Sequence, residues 1–118
     1  MGNKIIQRFD VGARMSEMSI YNSIVHLAGQ VAGDASADIS GQTRQVLAAI
    51  DALLERAGSD KTKILMAQIY LSDVRDFAAM NTVWDSWVVA GHTPPRATVQ
   101  ALLARPEWKV EMVVTAAL

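Results

Sequence analysis

"KILMAQIYLS", Lys63 to Ser72, decides how this chain is read. The run is apolar over the length of a strand and wet only at Gln68 and its ends, the pattern of an inner strand buried on both faces. The period changes on either side of it. Upstream, "GQTRQVLAAIDALLERAG" (41–58) places Val46, Ile50, Leu53, Leu54 and Ala57 on one helical stripe. Gln42, Arg44, Gln45, Asp51, Glu55 and Arg56 lie mostly off that stripe, and Gly58 supplies the C-terminal stop. Downstream, "SDVRDFAAMNTVWDSWV" (72–88) returns to helical spacing through Phe77, Met80, Trp84 and Val88, with Ser72 or Asp73 as cap.

Further out, strands recur. "NKIIQRF" (3–9) alternates loosely and ends at Asp10 and Gly12. "MSIYN" and "SIVHLAGQVA" read as two strands joined at Asn22-Ser23, where a turn is easy. "GDASADISG" is a loop carrying a helix start. "RATVQALL" (96–103) and "WKVEMVVTAA" (108–117) close the chain as two more strands. The order predicts one α+β domain over residues 1–118, a mixed sheet covered on one face by two helices.

Composition narrows the function. In 118 residues, 51% are hydrophobic and 19% charged, as in an ordinary globular domain with one core. Net charge is −1 and no run of lysines or arginines occurs, so nucleic-acid binding is disfavoured, since phosphate neutralisation supplies most of that affinity. The absence of cysteine excludes disulfides, thiolate metal sites and cysteine nucleophiles. No signal-peptide pattern opens the chain, and no apolar run reaches the roughly 20 residues a bilayer needs. Met-Gly-Asn begins like a myristoylation signal, but Ile6 stands where Ser or Thr is wanted. The expectation is a soluble, cytoplasmic protein with no membrane partner.

Two charges stand out. Arg96 follows Pro94-Pro95 and opens a strand, and Glu111 lies alone among apolar neighbours in the next. Burying either is costly unless something pairs with it or binds to it. Period two sets Arg96, Thr98 and Gln100 on one face of their strand, and Glu111 with Val113 and Thr115 in the last. If those strands were antiparallel neighbours, the two charges would lie on adjoining rows. One reading has Arg96 grip a small carboxylate while Glu111 orients or deprotonates a water. The other is an ion pair, within the chain or between subunits, and the residues alone favour it.

Other features are weaker. His26 reads as a strand histidine satisfied by a neighbour, and His92 as a loop residue at a pocket mouth. Two histidines and scattered carboxylates show no zinc spacing. No G-x-S-x-G or phosphate-cradling glycine motif is present. Trp84 and Trp87 fit packing better than base stacking. Gly29, inside a strand pattern, marks a bulge or a close approach, and Asn81 could cap a loop or touch a ligand.

Together these pieces resemble the Rid family of reactive-intermediate deaminases, also called YjgF-type and labelled endoribonuclease L-PSP. The resemblance rests on "IVHLAGQV", on "QTRQVLAAIDALLERAGSDKTKILMAQIYLSDVRDFAAMNTVWDSW" and on "PPRATVQALLARPEWKVEMVVTAA", and runs from about Gly12 to the end. It implies a chorismate-mutase-like subunit in a homotrimer, with sites in clefts between subunits. The implied reaction is hydrolysis of small 2-imino or enamine acids to 2-keto acids and ammonia, without a cofactor. By that resemblance Arg96 holds the substrate carboxylate and Glu111 places the attacking water. Thr98, where many members have cysteine, Gly29 and Asn81 line the substrate, and ligand binding becomes the favoured role of Arg96. One position departs: Arg14 or Met15, depending on a one-residue gap, stands where many deaminases carry a tyrosine that covers the substrate. Two rivals remain: a trimeric binder or sensor of small carboxylates without turnover, and a ribonuclease or translation inhibitor.

Overall fold

The computed structural model describes residues 5–118, so the first two residues of the expected opening strand fall outside the described part. Six strands and two helices follow in order: β1 (Gln7–Phe9), β2 (Met18–Tyr21), β3 (Ile24–Leu27), α1 (Ile39–Ala57), β4 (Ile64–Leu71), α2 (Phe77–Trp87), β5 (Arg96–Gln100) and β6 (Val110–Ala117). The strands form one mixed sheet in the order β1-β2-β3-β6-β4-β5. Only β4 and β5 run parallel, and α2 makes the crossover such a pair requires.

Local chemistry sets the boundaries. Asn22 and Ser23 both have positive φ, 51° and 63°, which gives the two-residue hairpin whose twist suits its strands. Helix α1 begins at Ile39, earlier than the sequence pattern suggests, because Asp38 caps it by accepting the Gly41 N–H at 2.8 Å. It ends at Gly58, whose φ of 82° closes the last turn. Asp73 is the residue that starts the second helical segment. It accepts from the Arg75 N–H at the head of a short 3-10 turn (Val74–Asp76) that runs into α2. The Arg75 side chain holds the Asp73 carboxyl down to about 2. The third strand is shorter than its pattern: it breaks at Ala28-Gly29, and only Gln30 resumes pairing, with Met112.

The core lies between the helices and one face of the sheet. Val46, Leu47, Ile50, Leu53 and Leu54 of α1 and Met80, Val83 and Trp84 of α2 pack on Met18, Val25, Leu27, Ala67, Ile69, Leu71 and the inward residues of β6. The other face is bare. Strand β4 is therefore inner in the sheet but, in the single chain, buried on one face only, which corrects the reading of "KILMAQIYLS". Leu65 and Met66 stay 45% and 40% exposed, displaced by a bulge that shifts the β4–β6 register between Ile64 and Met66. The run is apolar on both sides, yet no described residue covers the second.

Gln42 is the second departure from the pattern. Expected off the core stripe, it is fully buried. Its amide donates to the carbonyls of Ala35, Ala37 and Glu107 at 3.0–3.1 Å and accepts from the Lys109 N–H at 2.9 Å. One side chain thus ties the entry to α1 to the segment that launches β6. Replacing it by leucine strands buried backbone groups, so Gln42→Leu is expected to cost about 2–4 kcal/mol in urea unfolding at fixed protein concentration. Removing the helix cap, Asp38→Ala, should cost only about 1 kcal/mol.

Candidate functional site

Arg96 opens β5, the strand at one edge of the sheet. Its Cα partner on β4 is Ala67, a core residue, so the side chain lies on the helix-covered face. There it runs beneath α2. Its Nη2 donates to Asn81 Oδ1 at 2.6 Å, and Nη1 lies 3.9 Å from Met80 Sδ. The guanidinium carbon sits 5.0 Å from the Trp84 ring centroid and 5.9 Å from that of Phe77. Among the described residues no carboxylate pairs with it; the ion pairs are Arg56–Asp10, Arg75–Asp73 and Arg105–Glu107. Pro95 precedes it, and the Pro95 carbonyl accepts from the Ala67 N–H at 3.1 Å, which fixes the strand start to β4. The cation is thus oriented by an amide and aromatic faces yet left without a counter-charge, as a two-pronged carboxylate receptor requires.

Glu111 lies elsewhere. It is on β6 with Tyr70 of β4 as Cα partner, on the bare face. Strand β4 separates β5 from β6, so the two charge-bearing strands are not neighbours and the adjoining-row arrangement does not form. Arg96 and Glu111 project from opposite faces of one sheet, and no ion pair joins them. The Glu111 carboxylate lies over Gly29: a Cβ there would stand 2.3 Å from Oε2. Gly29 has no positive φ, so close approach, not backbone conformation, explains the glycine. Beside Glu111 is a hollow of about 210 Å³ lined by Tyr70, Ala101, Leu102, Leu103 and Ala104. No described residue donates a hydrogen bond to the carboxylate, which leaves it open to water or a ligand.

The expected site residues therefore fall into two groups. Arg96 and Asn81 meet between β5 and α2, and Thr98, opposite Ile69, lies on the same sheet face as Arg96. Glu111 and Gly29 form the other on the bare face. The periodicity places Phe77 and Trp84 on a core stripe and gives no signal at Tyr70; the stripe of α2 in fact runs past the core to the sheet edge, and Phe77 at its end remains 42% exposed. Arg14 and Met15 are exposed in the loop between β1 and β2. His26 is exposed on the bare face opposite Thr115, and His92 is exposed in the loop after α2. Among the described residues no three of His, Cys, Asp or Glu cluster as metal ligands, and no helix is long and apolar enough to cross a membrane.

Almost the whole chain matches a known family. The model of the family described as Endoribonuclease L-PSP matches residues 5–118. The chain belongs to this family, the YjgF or Rid proteins. It is 50% identical over 114 residues to a RutC family protein of Haemophilus ducreyi, and the match covers 97% of both chains. It is 51% identical over 112 residues to the RutC family protein YoaB of Escherichia coli, covering 95% of this chain and 97% of that one. Among solved structures, NMB1025 of Neisseria meningitidis, a member of the YjgF protein family, superposes with a TM-score of 0.93 at 47% identity, over 97% of this chain and 95% of the other. Family membership accounts for the two-helix, six-stranded fold.

The contact at Gly29 makes a test. Because the colliding atom is the free end of a flexible side chain, Gly29→Ala should fold with a melting temperature within a few degrees of wild type. Its crystal structure should show the Glu111 carboxylate displaced by about 1 Å or more.

Proposed function

We propose that this L-PSP family member hydrolyses small 2-imino or enamine acids to 2-keto acids and ammonia, in clefts formed where one copy meets another in a homotrimer. The observation that carries the reading is Arg96, held by Asn81, Trp84 and Phe77 without an acidic partner among the described residues. A chain that keeps an oriented, unneutralised guanidinium at a sheet edge has built a receptor for an anion. The open carboxylate of Glu111 is the complementary half. Since the two lie on opposite faces of the sheet, one ligand can touch both only if they come from different copies.

The chemistry follows from those two groups. Arg96 of one copy binds the substrate carboxylate through two N–H groups. Glu111 of another accepts a proton from water as its oxygen adds to the C=N carbon, and the π electrons pass to nitrogen, which takes that proton from Glu111 to give the carbinolamine. Glu111 then moves the hydroxyl proton to the amino nitrogen, so that the C=O bond forms as the C–N bond breaks and the nitrogen departs as ammonia. One water is consumed, and one keto acid and one ammonia are released. No nucleophile or redox partner is required, because imines already hydrolyse in water. Fixing the carboxylate and one water supplies the acceleration, at best roughly 7–11 kcal/mol.

Ammonia and keto-acid release from freshly generated 2-iminopropanoate and longer imino acids is the direct test. Arg96→Ala and Glu111→Gln should each lose turnover, and only Arg96→Ala should also lose binding of the product keto acid. Subunit exchange between the two inactive variants should restore about a quarter of wild-type activity, because a random mixture rebuilds that share of composite sites. Wild-type rates equal to those of Arg96→Ala, in well-folded protein, would exclude deamination of these substrates. Binding that persists in Glu111→Gln without wild-type turnover would instead mark a carboxylate sensor. RNA cleavage falling steeply with salt would support the ribonuclease alternative, which the net charge of −1 disfavours.

A further inference from the structure

A depression of about 540 Å³ opens on the bare face and reaches Ala28, next to the Gly29 that Glu111 overlies, and the proposed reaction makes no use of it. Arg8, Arg14, Ser19 and His26 line it, and Ala28, the neighbour of Gly29, forms its near wall. Its polar lining is cationic or neutral. Arg8, Ser19 and His26 sit side by side across β1, β2 and β3, while Arg14 projects from the β1–β2 loop at the end where Ala28 and Gly29 run. Among the described residues neither Arg8 nor Arg14 has an ion-pair partner.

The loop that carries Arg14 is fastened at three points. Asp10 accepts two hydrogen bonds from Arg56 of α1 at 2.7 and 3.1 Å. The Glu17 N–H donates to the Phe9 carbonyl at 3.1 Å, and the Gly12 N–H donates to that of Met15 at 2.8 Å. The hydrogen bond from Arg56 keeps the Asp10 carboxyl below its ordinary value, so the first fastening stays ionised at neutral pH. Glu17, the nearby acid in this loop, is engaged by the Gln30 side chain at 3.3 Å. The loop base is thus held, and the guanidinium at its tip faces the hollow with its charge unanswered.

We infer that this depression selects substrates bearing a second anionic group. Such a ligand would place its α-carboxylate on Arg96 of one copy and its distal carboxylate on Arg14 of the copy that supplies Glu111, with Arg8 and His26 at the far wall. The substrate class is then the 2-imino acid derived from a dicarboxylic amino acid, hydrolysed by the step written above. A guanidinium fork recognises carboxylate and phosphonate alike, and the test separates them. This inference rests on the proposed composite site, but its test reads binding as well as turnover, so the two can fail separately.

Calorimetry on the assembled protein would compare 2-oxoglutarate, 3-phosphonopyruvate and 2-oxobutanoate, ligands that share the α-keto acid group and differ in the second charge. The expected result is about tenfold or tighter binding of at least one dianionic ligand over 2-oxobutanoate. Arg14→Ala should abolish that preference without weakening 2-oxobutanoate, and Met15→Ala should leave it intact. In turnover, kcat/KM for 2-iminoglutarate relative to 2-iminobutanoate should fall in Arg14→Ala by a similar factor. Equal affinity for all three ligands, or a dianion preference unchanged in Arg14→Ala, overturns the inference even if 2-iminobutanoate is deaminated. Dianion selectivity through Arg14 with no turnover of any imine supports the second anion subsite but overturns the imino-acid substrate class together with the deaminase reading.

Discussion

Strand β4 has a parallel neighbour on one side and an antiparallel neighbour on the other, and the alternation of its side chains sorts every charged group of the candidate site. Ala67 stands beside Arg96 and Tyr70 beside Glu111. The separation along β4 is odd, so the two partners must point to opposite faces. Ala67, Ile69 and Leu71 are fully buried. A one-residue slip would turn all three outward and bring Gln68 and Tyr70 into the core. Each large apolar side chain so exposed costs roughly 1.5–3 kcal/mol. The placement of the site's charges is therefore held by apolar packing, not by polar contacts among the site residues themselves.

Arg96 shows how a cation is kept available. A carboxylate in place of Asn81 would orient the guanidinium equally well but would also neutralise it, leaving an ion pair with little attraction for a ligand. The amide orients without neutralising. The faces of Trp84 and Phe77 present negative π density to the cation and reduce the cost of its partial burial. The edge position of β5 leaves the guanidinium half-exposed, so full desolvation is never required.

Periodicity made both helices, the Asn22-Ser23 hairpin and the fold class legible in the sequence, because each depends on neighbours a few residues away. What stayed hidden depends on partners far along the chain. Arg96 and Glu111 could be picked out as anomalous charges, but their relation required the strand order, and inserting β4 between β5 and β6 reverses the simplest expectation. Gln42 has the residue type of a surface position; its burial follows only from the distant loops around Ala35 and Glu107 that it joins. The second apolar side of "KILMAQIYLS" was visible as composition, yet no described residue of this chain covers it.

That uncovered face and the divided site point to the same solution. Leu65, Met66, Val99 and Tyr21 remain exposed around the face that carries Glu111, while Arg96 waits at the sheet edge beyond. Under the proposed reading, association of copies removes this apolar surface from water and in the same act brings an edge arginine to a foreign glutamate. Site assembly then follows from a contact that is favourable on hydrophobic grounds alone, so neither charge has to find the other by its own attraction. It also keeps the two apart in the free chain, where an Arg96–Glu111 ion pair would neutralise both. On that reading, a receptor whose halves cannot meet within one molecule cannot quench itself, and a cleft between copies would be where a small anion reaches both.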